Sequence, residues 1–120
     1  MSTWKNRPST LTIEVAREFD EELNLVNYIT SEGRAVGSEI CAELHEAEVV
    51  DWGTIILHIE SSGHESPDST FSGYDREENR KLVRAEIVRP DGFRKPFSNA
   101  AVLELAEFFI KEISPDPWFI

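Results

Sequence analysis

The sequence predicts an α+β fold: a small antiparallel or mixed sheet of three to four strands, packed by two to three helices. Three observations predict it. Residues 55–59 (IILHI) place four apolar side chains in five positions, the mark of a largely buried strand. Residues 82–89 (LVRAEIVR) alternate with period two, and the turn Pro90-Asp91-Gly92 follows them at once. Residues 99–113 carry Val102, Ala106, Phe109 and Ile113 on one helical stripe, widened by Leu103, Leu105 and Ile110.

Residues 1–9 (MSTWKNRPS) read as a loose N-terminal arm, with Trp4 as its only large anchor. Residues 10–16 (TLTIEVA) alternate Leu11, Ile13 and Val15 with polar neighbours and read as a strand. Residues 17–30 follow, with Phe19, Leu23, Val26 and Ile29 near helical spacing. Asp20, Glu21 and Glu22 suit a first helical turn, and Gly33 suits a stop. A helix is the expectation there, and a strand over 23–29 is its rival.

Residues 38–49 (SEICAELHEAEV) are rich in helix formers. Ile40, Leu44 and Ala47 form one stripe, Cys41 flanks it, and Ser38 is an apt N-cap. A strand alternating Ile40, Ala42 and Leu44 with Cys41, Glu43 and His45 fits in part as well. Asp51-Trp52-Gly53 turns the chain into the strand at 54–60. Residues 61–74 (SSGHESPDSTFSGY) have the composition of a long loop. Residues 93–97 (FRKPF) return from the Pro90 turn as a short strand. Pro96 lacks a backbone N–H, so that strand belongs at an edge. Ser98 or Asn99 caps the C-terminal helix, Pro115 and Pro117 stop it, and residues 115–120 form a tail.

The chain has 120 residues, which suits a single domain over 1–120. Three Trp, seven Phe and two Tyr supply the bulk of a core. Cys41 is the single cysteine, so no internal disulfide exists. The N-terminus lacks a signal-peptide core, and no apolar run approaches the ~18 residues of a membrane helix. A cytoplasmic protein is the expectation.

Net charge is −11, and it is one-sided. Residues 1–75 hold fifteen acids and four bases, whereas residues 76–120 hold eight of each. Nucleic acid and anionic membranes are poor partners for such a surface. A basic protein is a good one, because opposite fields steer association. The candidate partner-binding residues are Asp20, Glu21, Glu22, Glu39, Glu43, Glu46, Glu48 and Asp51. A run of charge also simply keeps a protein soluble.

Enzyme chemistry finds little support. Cys41 and His45 lie one helical turn apart, yet no C-x-x-C or further metal-ligand spacing accompanies them. No metal and no cofactor are expected. His58 shares a strand face with Ile56 and Glu60, and His64 sits in the 61–74 stretch. His58, Glu60 and His64 therefore form an alternative ligand site with acid–base potential. Residues 68–79 brush against a calcium-loop pattern, but Arg76 and Asn79 stand where ligands belong. G-x-G-x-x-G, G-K-[ST] and G-x-S-x-G are all absent. The basic stretch from Arg76 to Lys95 is interleaved with acids; neutralising the acidic half is its expected use, and contact with an anionic ligand is the alternative.

The leading expectation is thus an acidic inhibitor or immunity protein, antitoxin-like, that covers a basic toxin or nuclease. The alternatives are a small ligand-binding domain or enzyme near His58, and a structural subunit. That subunit would form homo-oligomers through the C-terminal helix and the Trp118-Phe119-Ile120 tail.

Overall fold

The computed structural model describes residues 2–19, 22, 25–66 and 75–114. Among them the chain forms five strands and three helices. The order is β1 (Ser2–Phe19), β2 (Leu25–Thr30), α1 (Ser38–Glu46), β3 (Trp52–Ser66), β4 (Asp75–Val88), β5 (Arg94–Pro96), α2 (Asn99–Phe108) and α3 (Ile110–Ile113). All strand pairs are antiparallel, in the spatial order β2-β1-β3-β4-β5. The α+β class holds, with five strands in place of three to four and no parallel pair.

The extra strand lies where a helix was expected. Residues 17–19 complete β1, and β2 pairs back with Ala16 opposite Ile29 and Arg17 opposite Tyr28. Tyr28 and Thr30 point inward and are buried, while Ile29 is half-buried. The rival strand reading therefore describes this stretch. Phe19, counted on the helical stripe, is 43% exposed. Gly33 ends no helix: it takes φ +84° in a turn whose N–H donates to the Thr30 carbonyl.

The expected loose arm is also strand. Ser2 lies opposite Glu65 and Pro8 opposite Glu60, with one register shift between Trp4 and Arg7. Residues 61–66, expected as loop, continue β3, and residues 75–81 extend β4 beneath them. Polar Ser- and Gly-rich composition signalled a loop. Three strands lying side by side supply backbone hydrogen bonds whatever their side chains are, and each extension serves the other two. Residues 67–74 and the 115–120 tail lie outside the described residues.

Odd-numbered residues of β3 make the core face: Ile55, Leu57 and Ile59 are buried, whereas Ile56, His58 and Glu60 are half-buried. Ile40 and Leu44 of α1 belong to the same buried cluster. So do Ala101, Leu105, Phe109 and Ile113 from the C-terminal helices. The α1 stripe is the expected one. In the C-terminal stripe Phe109, Ile113 and Leu105 are buried as expected, whereas over the first turns Ala101 is buried and Val102 and Ala106 are only half-buried. Leu103 and Ile110, expected to widen it, are 71% and 59% exposed. The single expected helix also breaks at Phe109 (φ −105°, ψ 28°) into α2 and α3.

Two carboxylates are exchanged between helix ends. Glu43 of α1 is buried and accepts from the Ser98 N–H (2.8 Å) and the Ser98 hydroxyl (2.5 Å). Ser98 caps α2, its oxygen accepting from the Ala101 N–H at 3.3 Å. In return Glu104 of α2 accepts from the Ile40 N–H at 3.0 Å, in the first turn of α1. The α1 N-cap is Gly37, not Ser38, and it offers no side-chain cap. A Cβ on Gly37 would lie 1.7 Å from Glu104 Oε1, so the missing side chain makes room for the borrowed carboxylate. Each helix N-terminus, with its free N–H groups and positive dipole end, is thus met by an anion from the other helix.

Candidate functional site

Sheet register brings three connections to one end of the molecule. Ala16 of β1 lies opposite Trp52 of β3, and Thr54 of β3 lies opposite Val88 of β4. The β1–β2 turn, the stretch from α1 to β3 and the turn from β4 to β5 therefore share that end.

The α1–β3 stretch is held from both sides. The Glu48 N–H donates to the His45 carbonyl and the Val49 N–H to the Leu44 carbonyl, which closes the end of α1. Glu48 takes φ 56°, a left-handed conformation that glycine usually occupies here. The buried Tyr28 hydroxyl donates to the Val49 carbonyl at 2.6 Å. Burial is the main cause that raises its pKa above the ordinary tyrosine value, so it stays a neutral donor. The Arg17 N–H donates to the Asp51 carbonyl at 3.0 Å.

Across the gap, Pro90-Asp91-Gly92 forms the expected turn. Gly92 takes φ +95°, its N–H donates to the Arg89 carbonyl, and Asp91 accepts from the Phe93 N–H. The Arg89 guanidinium grips Asp91 through Nε (3.0 Å) and Nη2 (2.6 Å), donates to the Ala47 carbonyl (3.0 Å) and lies over the Phe93 ring. That grip holds the Asp91 carboxyl below the ordinary aspartate range.

These parts enclose a cleft of about 620 Å³. Tyr28 and His45 line it, with their rings edge-on at 5.4 Å. Arg17 and Arg89 are largely covered, at 26% and 21% side-chain exposure. The side chains of Glu48 and Asp51 are 84% and 87% exposed, and among the described residues Arg89 and Arg17 come within 4.0 and 3.9 Å of them. Val50 and Trp52, beside them in the chain, are 63% and 46% exposed.

The acidic candidates separate accordingly. Glu48 and Asp51 meet at the cleft, and Glu22 is exposed in the β1–β2 turn. Glu39 and Glu46 are exposed on α1, Glu46 within 3.4 Å of Lys95. Glu43 is turned inward to Ser98. Asp20 and Glu21 lie outside the described residues. Val50, Tyr28 and Arg17 were not singled out by sequence, Trp52 was read only as part of a turn and Arg89 only within the basic stretch, although an aromatic next to an acid (Asp51-Trp52) was a readable signal.

The alternative site is built differently from its expectation. The partner of His58 is Glu86 on β4, with Nε2 donating to Oε1 at 2.8 Å, and not Glu60. Arg94 reaches the same carboxylate at 2.8 Å and Arg84 at 3.9 Å. Glu60 stands opposite Pro8 and Lys81. His64 is on β3 opposite Thr3 and Glu77, and its side chain is outside those described. A smaller cleft of about 410 Å³ is lined by His58 together with Glu60, Ser9 and Thr10, so His58 and Glu60 share it without bonding each other. The Cys41 thiol is half-buried, and burial pushes its pKa up, so it is no activated thiolate. Among the described residues no group of three or more His, Cys, Asp and Glu is gathered to hold a metal, and no helix is long and apolar enough to cross a membrane.

Glu86 yields a pH prediction. The Arg94 hydrogen bond first, and His58 second, hold its carboxyl below the ordinary glutamate range. Its stabilisation is therefore complete above a pH of about 4.3 and is lost as pH falls through the lower folded value. Glu86→Gln is expected to cost about 1 kcal/mol at neutral pH. It should also flatten the acid side of a stability profile from urea unfolding at successive pH values.

No protein-family model, no curated protein and no solved structure matches the chain.

Proposed function

We propose that this chain is an acidic protein-binding domain that covers a basic protein partner, in the manner of an inhibitor or immunity protein against a toxin or nuclease. One observation carries the reading. At the end of the sheet where three connections meet, exposed Val50 and Trp52 flank Asp51 in the chain and line one cleft with exposed Glu48 and Asp51, while the nearby bases Arg17 and Arg89 are drawn inward. An apolar anchor, with an aromatic in it, inside a charged rim is the anatomy of a protein-binding hot spot. Charge on the rim speeds encounter with an oppositely charged surface, and the anchor slows dissociation. The overall −11 and its confinement to residues 1–75 add a long-range field of the same sign.

The test is capture from lysate at low salt, with elution in a salt gradient. A basic protein is expected to elute sharply at moderate salt. Reversal of Glu22, Glu39, Glu46, Glu48 and Asp51 to lysine together should weaken its binding by about a hundredfold or more, most of it at low ionic strength. Unchanged affinity in that folded variant would reject the proposal.

A further inference from the structure

We infer that the cleft beside Trp52 receives a cationic side chain, arginine or lysine, from the partner, and that Glu48 is kept for that contact at a cost to stability. The inference rests on the protein-binding function proposed above.

Glu48 breaks two local rules at once. It follows the last turn of α1 at φ 56°, where a side chain is strained and glycine is favoured. It also places a carboxylate at the negative end of the helix dipole, where a cation belongs. Little among the described residues repays this. Among the described residues the base that reaches it is Arg89, whose Nη1 is 4.0 Å away and already donates to the Ala47 carbonyl. Residues that break local rules without internal return are expected where function demands them.

The surroundings say what kind of group fits. The cleft is lined by three carboxylates, Glu48, Asp51 and Asp91, against two guanidiniums. Both guanidiniums are largely covered, and Arg89 is spent on Asp91 and Ala47. A group arriving from solvent therefore meets Glu48 and Asp51 before it meets either arginine. Beside them lies the part-exposed indole of Trp52, the best ring for a cation. An anionic group would face the same two carboxylates and be repelled.

The test is an NMR titration of the full chain at low salt with N-acetyl-arginine amide, N-acetyl-lysine amide and, as the control, N-acetyl-glutamate amide. The Trp52 indole N–H signal is identified by its loss in Trp52→Phe. It should shift saturably with the two cations and not with the anion, and the stronger cation distinguishes guanidinium from ammonium. Glu48→Gly should raise the thermal midpoint while weakening cation binding by about threefold or more. An equal response to the glutamate probe, no saturable response to either cation, or undiminished binding in folded Glu48→Gly would each overturn the inference. The proposed function fails separately. Cation binding without capture of a basic protein sinks the function alone, and salt-sensitive capture without a cation response sinks the inference alone.

Discussion

Tyr28→Ala is expected to lower unfolding free energy by about 3–5 kcal/mol, the usual cost of emptying a large aromatic site in a core. For a domain whose total stability is about 5–15 kcal/mol, that leaves little margin at 37 °C. The reason is specific. Tyr28 is 1% exposed, its ring meets His45, and its hydroxyl satisfies the Val49 carbonyl. Its own backbone carbonyl accepts from the Val36 N–H, so β2 is tied through it to the segment that enters α1. Tyr28→Phe separates the two contributions. It keeps the ring and strands the Val49 carbonyl, for about 1–2 kcal/mol. Chemical denaturation with an unchanged denaturant slope is the measurement. The phenol's raised pKa adds a pH signature: its share of stability is intact below about 10 and is lost as pH rises through the folded value. The phenylalanine variant should lack that alkaline loss. A cost under 1 kcal/mol for the alanine variant would mean that the site collapses around the missing ring.

Glu43→Ala is the second large effect, at about 2–4 kcal/mol. Two hydrogen bonds to a charged acceptor are lost together, and Ser98 loses the partner that fixes it as the cap of α2. Ser98→Ala alone should cost less, about 1–2 kcal/mol, yet it leaves a buried carboxylate short of a donor. The double variant should cost less than the two singles added, because each single removes the same bond. Additive losses in thermal or urea unfolding would show that the exchange between the helices contributes nothing beyond each residue's own packing. Because Glu43 faces Ser98 and not solvent, its substitution should change partner affinity only through stability, unlike Glu48 or Asp51.

Legibility varied with what each residue type can say alone. The strand at 54–60, the Pro90-Asp91-Gly92 turn, the edge placement of β5 and the α1 stripe follow from side-chain period and from the backbone limits of Pro and Gly. At residues 17–30 the period misled, because Phe19, Leu23, Val26 and Ile29 fall near helical spacing although residues 25–30 form a strand. Pairing with β1 decides between them. The polar residues 61–66 carry no strand signal at all and are strand because β1 and β4 flank them.

The site divides in the same way. Acidity, its confinement to residues 1–75 and the absence of a cofactor motif were present in composition, and the α+β class in patterning. Only tertiary structure could turn Glu43 inward, give His58 to Glu86 in place of Glu60, and bring residues as distant as Arg17, Glu48 and Arg89 around one cleft. A sequence states what each side chain prefers. Which partner satisfies that preference depends on strand register and helix rotation, and those are fixed by burying the whole core at once.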